Sequence, residues 1–114
     1  KDHIKKNTPE GVSIQIEEHH GANPARMDTT TKAFKAAQIA FKQSYQTDVK
    51  LIGEGGSIPV VESFQRLLGL DTVMMGFNLP DDGIHSPNER FAVKNFMKGI
   101  ETAIRYYKLY GESQ

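Results

Sequence analysis

"DVKLIGEGGSIPVVESFQRLLGLDTVMMGF" (residues 48–77) places an amphipathic helix pattern between two short apolar runs. Residues 48–53 and 72–77 have the composition of strands, and the second run is apolar on both faces, as in a buried parallel sheet. Between them, apolar residues recur on one helical face: Ile58, Val61, Phe64 and Leu68. Gly69 is a natural helix end. This order predicts a right-handed strand–helix–strand crossover.

The segments on either side extend this pattern. Residues 12–20 alternate apolar and polar side chains, which predicts a half-buried strand. "TKAFKAAQIAFKQSY" (31–45) and a segment from about Phe91 to Tyr107 have helical spacing. The resulting β-α-β-α-β-loop-α order predicts an α/β fold, as part of a doubly wound, mostly parallel sheet.

Composition narrows the possible classes of function. The chain has 114 residues, 38% of them hydrophobic, with 14 basic residues balanced by 14 acidic ones. This balance argues against nucleic acid as the main partner, and no apolar run approaches the length that spans a bilayer. The absence of cysteine excludes disulfides and thiolate metal sites and fits a cytoplasmic location. The opening "KDHIKKN" has neither an initiating Met nor a signal-peptide pattern, so we expect a piece of a longer protein.

The loop "GEGGSIP" (53–59) joins the second predicted strand to a helix. Its glycines allow backbone N–H groups to approach a ligand, and a helix N-terminus favours an anion. It is not a phosphate loop, because no lysine follows the glycines. Local chemistry leaves two interpretations open: a cradle for a carboxylate, or a tight turn with Ser57 as helix cap.

The loop "LPDDGIHSPNERF" (79–91) follows the third predicted strand. Its residues 86–89, "SPNE", have the composition of a capping box and predict a helix start. His85 is not needed for any of this turn chemistry; by itself it is either a metal ligand, an acid–base group or a solvated side chain. Asp81 and Asp82 are explained equally well by turn formation and by metal binding. Because ligands bind beyond the carboxyl ends of strands, both loops are expected to face one crevice.

Together, "GGSIP" and the later "GFNLPDDGIHSPNE" make residues 53–107 resemble the C-terminal part of the dinuclear-zinc aminoacylase/dipeptidase metallopeptidase family. The resemblance is strongest to its carnosinase and cytosolic non-specific dipeptidase branch. It implies a zinc-dependent dipeptidase or amide hydrolase that attacks a peptide or N-acyl amide with metal hydroxide. Two zinc ions per active site are implied, with manganese or cobalt as alternatives, and a dipeptide or N-acyl amino acid as substrate.

The same resemblance assigns roles to matched positions. His85 matches a zinc ligand, and the loop matched to the substrate carboxylate consists of Gly55, Gly56 and Ser57. Asn88 and Glu89 lie beside the metal histidine and are expected to support it. The general-base glutamate and the other metal ligands are expected outside this chain, so the isolated chain should bind no zinc and catalyse nothing. Gly53 stands where the branch often has arginine, which puts the substrate class in doubt.

The resemblance also implies a division of the chain. Residues 1–20 would be a remnant of a lid or dimerisation domain, residues 21–28 a hinge, and residues 29–114 the end of the catalytic domain. The expected partners are the rest of that catalytic domain and a second copy in a homodimer, and the isolated chain is expected to self-associate through edge strand 12–18. The alternative is a non-catalytic α/β binding or assembly module that has lost hydrolase activity.

Overall fold

The computed structural model describes residues 1–19, 21–54 and 58–113. These residues form four helices: α1 (Asp2–Lys6), α2 (Lys32–Tyr45), α3 (Pro59–Leu68) and α4 (Val93–Glu112). The last three lie where the periodicity of the sequence predicts helices, although α4 begins later and runs further than predicted. Within the described ranges, no helix combines the length and the hydropathy needed to cross a bilayer.

The predicted doubly wound sheet is wrong, since the described residues contain no strand. Outside the helices, their backbone hydrogen bonds stay local, the most distant joining Arg90 N–H to the Asp82 carbonyl. A strand is stabilised by a ladder to a neighbouring strand, and no such ladder links residues 12–19, 48–54 and 72–78. The apolar pattern did not predict burial in these segments, since Val12, Ile14 and Ile52 are all exposed. A pattern within one segment also does not supply a partner for its backbone.

In residues 72–78 burial alternates along the chain, whereas the sequence predicts a strand that is apolar on both faces. Val73, Met75 and Phe77 are half-buried, whereas the Met74 side chain is 45% exposed. Phe77 stacks on Phe41 of α2 with ring centroids 5.1 Å apart. One face of this segment therefore packs on α2, although the segment forms no strand.

Helices α2 and α4 pack against each other and form the core. Thr31 caps α2 by accepting the Phe34 N–H at 3.2 Å. Small side chains on α2 are almost fully buried and allow the helices to approach closely: Ala36, Ala37 and Ala40. Thr102 of α4 is fully buried, and its hydroxyl donates to the Lys98 carbonyl at 2.7 Å, which satisfies the one polar atom it brings into the interface.

Helix α3 lies outside this core. It ends at Gly69, whose φ of 62° closes the helix in the left-handed region, as the sequence predicts. It contacts residues 21–28 instead, through a hydrogen bond of 3.1 Å from the Gln65 amide to the Arg26 carbonyl. Phe64, Leu67 and other apolar side chains of α3 stay exposed. The radius of gyration of 19.2 Å, against about 13 Å for a compact chain of similar length, reflects this open arrangement.

Candidate functional site

An open groove of about 800 Å³ runs between α2 and the segments 47–54 and 73–80. Its lining is mainly apolar and includes Phe34, Phe41 and Tyr45 from α2. Glu54, which directly precedes Gly55, and Ile84, which directly precedes His85, both line it. Described residues of both predicted loops therefore border a single groove, although His85 itself is not among the residues that line it. Gly55, Gly56 and Ser57 themselves, including the predicted carboxylate contacts and helix cap, lie outside the described residues.

His85 lies at the exposed crest of the loop between Leu79 and Arg90. Its backbone φ is 61°, in the left-handed region that residues with a Cβ seldom adopt. Its backbone N–H donates to the Glu89 carboxylate at 3.2 Å. The imidazole makes no hydrogen bond within the described ranges, so both ring nitrogens stay available to a ligand. Histidine adopts this region more often than most residues with a Cβ do.

The predicted helix start at residues 86–89 is wrong. Helix α4 begins at Val93, with Ala92 in the capping position and no side-chain cap. The Ser86 hydroxyl donates to the Gly83 carbonyl at 2.5 Å. The Glu89 carboxylate accepts the His85 N–H and not the Ser86 N–H, which a capping box would require. Asn88 has a φ of 64°, which turns the chain away from a helix directly after Pro87. The capping-box residues therefore stabilise the loop around His85, which ends before α4 begins.

Of the two residues predicted to support His85, the structure brings one into contact with it. Glu89 holds the His85 backbone, as described above, whereas Asn88 contributes the turn of its own backbone. Asp81 pairs with Arg90 across the surface of the loop at 2.7 Å, and both side chains are mostly exposed. Asp82, in contrast, is 2% exposed and faces the interior of the loop.

His85 does not belong to a cluster of metal-binding side chains among the described residues. Within the described ranges, no three side chains of His, Asp or Glu converge on a point where they could share an ion. Zinc in a catalytic site takes three protein ligands as a rule, so His85 fits as one member of a set and does not form a site by itself.

Sequence reasoning missed the inward aspartate and the arginine that closes the loop. Both Asp81 and Asp82 suit a turn, and no pattern in "PDDG" tells which carboxylate points inward. Arg90 follows the capping box, and the sequence assigns it no role. The structure instead bonds its backbone N–H to the Asp82 carbonyl at 2.9 Å.

Tyr45 gives the groove a partly dehydrated wall. Burial raises the pKa of its phenol above the ordinary 10.0, and the phenol oxygen is buried with no hydrogen-bond partner within the described ranges. The ring stacks on Phe41 with centroids 5.8 Å apart. The unsatisfied Tyr45 hydroxyl therefore lowers the free energy of unfolding of the folded chain.

Replacing Tyr45 with phenylalanine is expected to raise the free energy of unfolding by up to about 1 kcal/mol, because it removes the unsatisfied hydroxyl and keeps the ring. Since the phenol pKa is raised in the folded state, the wild-type chain also loses stability as the pH rises past the ordinary tyrosine pKa, and the variant loses less. Urea denaturation at neutral and alkaline pH measures both effects. A less stable variant at neutral pH would show that the hydroxyl has a partner.

Comparison with known proteins identifies the family of the chain. The model of peptidase family M20/M25/M40 matches residues 3–108. The Cys-Gly metallodipeptidase DUG1 of Saccharomyces cerevisiae is 37% identical over 86 residues, which cover 75% of this chain and 18% of the relative. Its Candida albicans counterpart is 32% identical over 96% of this chain and 22% of its own length. Human Beta-Ala-His dipeptidase is 25% identical over 76% of this chain and 18% of its own length.

A solved structure gives the same result. The structure described as that of the dipeptidase Dug1p from Saccharomyces cerevisiae superimposes with a TM-score of 0.71 at 36% identity, covering 75% of this chain and 18% of that one. The chain thus spans about a fifth of the length of the curated relatives it matches. The family model covers nearly all of the chain, and the resemblance carried by the two loops is confirmed: the chain belongs to peptidase family M20/M25/M40.

Proposed function

We propose that these residues form the C-terminal part of the catalytic domain of a zinc-dependent dipeptidase, in which His85 is one zinc ligand. One observation carries this proposal: Glu54 and Ile84, the neighbours of the glycine loop and of His85, line the same groove. The names of the relatives, Cys-Gly metallodipeptidase and Beta-Ala-His dipeptidase, support a dipeptide or related N-acyl amino acid as substrate.

The site residues of this chain would bind zinc and substrate or hold the groups that do so. His85 presents an imidazole free of hydrogen bonds in the described chain, and Glu89 holds the backbone below it. Residues 55–57 would receive the substrate's carboxylate through backbone N–H groups. Bound zinc supplies the Lewis acidity that activates water and polarises the scissile carbonyl. The other ligands and the general base would come from outside the 114 residues, as part of a catalytic unit to which residues 29–114 contribute.

The test is a chimera in which this chain replaces the aligned segment of the Saccharomyces metallodipeptidase. We expect the purified chimera to hydrolyse the dipeptide Cys-Gly, to lose this activity on chelation and to regain it with zinc. The isolated 114-residue chain, assayed in parallel with zinc, is expected to show no hydrolysis. Hydrolysis by the isolated chain would contradict the proposal that the remaining ligands lie elsewhere.

The non-catalytic alternative makes a different prediction for the same chimera. A folded chimera that binds zinc but does not hydrolyse Cys-Gly would favour a module that has lost its activity. Gly53, where related dipeptidases often have arginine, is the residue to change first in that case, and Gly53→Arg would restore hydrolysis if the missing guanidinium were the cause. Homodimer formation, the division into lid remnant and hinge, and a cytoplasmic location stay predictions.

A further inference from the structure

Asp82 occupies a singular place in the loop that carries His85. It is 2% exposed, in a loop whose other residues are exposed or half-buried. Its carboxylate accepts the Leu79 N–H at 2.7 Å, and its own N–H donates to the Leu79 carbonyl at 3.1 Å. Its carbonyl accepts the Arg90 N–H at 2.9 Å. One residue thereby ties together the two ends of the loop, Leu79 and Arg90.

The crest of the loop needs such a restraint. His85 and Asn88 both have positive φ, a conformation that restricts residues with a Cβ, although less for His and Asn than for others. Gly83 also has a positive φ, of 67°, and a Cβ there would come within 2.9 Å of the Ser86 hydroxyl. Without a fixed base, the His85 backbone would relax to ordinary φ values and its imidazole would move. The buried carboxylate supplies part of that base.

We propose that Asp82 is a positioning residue, whose buried carboxylate fixes the base of the loop and thereby holds the His85 imidazole where it binds zinc. The neighbouring Asp81 has a different role. Its carboxylate lies on the surface, 70% exposed, and pairs with the equally solvated Arg90 guanidinium. Exposed ion pairs contribute little to structure, so the two adjacent aspartates are unequal in their effect on His85. This inference rests on the proposed function, because it takes His85 to be a zinc ligand.

The adjacent aspartates provide a matched pair of variants. In the chimera, Asp82→Ala is expected to weaken zinc binding by about 10-fold to 100-fold, the usual effect of removing a group that orients a metal ligand. Asp81→Ala is expected to weaken it by less than about fivefold. Asp82→Asn keeps an oxygen that can accept the Leu79 N–H and is expected to restore most of the affinity. Calorimetric titration of each metal-free chimera with zinc chloride measures these changes.

A second measurement separates positioning from general destabilisation and needs only the 114-residue chain. Amide hydrogen exchange and backbone NMR signals are recorded for the wild type, Asp82→Ala and Asp81→Ala. In Asp82→Ala, the Leu79 amide is expected to lose protection and the His85 signals to move, while the amides of α2 stay protected. Asp81→Ala is expected to leave both unchanged.

The outcomes distinguish this inference from the proposed function. If His85→Ala leaves zinc affinity unchanged, the proposed function fails. If His85→Ala abolishes binding at one zinc site whereas Asp82→Ala changes affinity no more than Asp81→Ala does, the positioning role is refuted and the proposed function stands. Unmoved His85 signals in the Asp82→Ala chain would refute the positioning role even where the chimera is unstable.

Discussion

Replacing His85 with alanine in the chimera is expected to lower Cys-Gly hydrolysis by about a thousandfold and to reduce the bound zinc from two ions towards one. A metal ion that loses an imidazole ligand also loses its fixed position beside the substrate carbonyl. Metal ions contribute several kcal/mol of transition-state stabilisation, and about 4 kcal/mol corresponds to this factor. Initial rates and elemental analysis of the same preparation measure both quantities.

Alanine keeps the Cβ at position 85, where φ is 61°, so the substitution removes the imidazole and adds no atom to the loop. His19 is the matched control, because it is also exposed and lies far from the loop in sequence. His19→Ala is expected to leave rate and zinc content unchanged. A His85→Ala chimera that lost activity but kept both zinc ions would show that the imidazole acts on substrate and does not ligate metal.

The helices were predictable from sequence because their signals are local. Phe34, Ala37, Phe41 and Tyr45 lie on one face of a single segment, and a helix satisfies its own backbone hydrogen bonds. A strand does not, and for this reason the predicted sheet failed. Phe77 packs on Phe41 of α2 within the chain, whereas a ladder depends on a neighbouring backbone that the described residues do not provide.

The sequence proposes the candidate site but not its construction. The order of "GGSIP" and "GIHSPNE" singles out His85 as a candidate zinc ligand, and the expectation that both loops face one crevice stays a prediction. The helix start at Ser86 was wrong, because the backbone at Asn88 has a positive φ and therefore does not continue a right-handed helix. The roles of Asp81 and Asp82 could not be separated from sequence, because the two side chains differ in burial. Asp82 is buried where the loop folds so that Leu79 and Arg90 both bond to its backbone.

Introducing a charge at Ala40 is expected to unfold the core. Ala40 has no exposed surface at the α2–α4 interface, and these are the two helices that pack together among the described residues. Ala40→Asp would place an uncompensated carboxylate in this interface, which costs about 3 kcal/mol or more. Small domains are only marginally stable, and this chain has few buried apolar side chains beyond α2. We therefore expect loss of most of the helical circular dichroism signal at neutral pH.

Ile39 supplies the control on the same helix, one position earlier. Its side chain is 47% exposed, so Ile39→Asp introduces the same charge where water can solvate it. That variant is expected to keep its helical signal and to shift the free energy of unfolding by less than about 1 kcal/mol. Partial recovery of the Ala40→Asp helical signal at a pH low enough to protonate the carboxylate would identify the buried charge as the cause. Equal effects of the two variants would show that α2 and α4 do not pack in solution as they do in the structure.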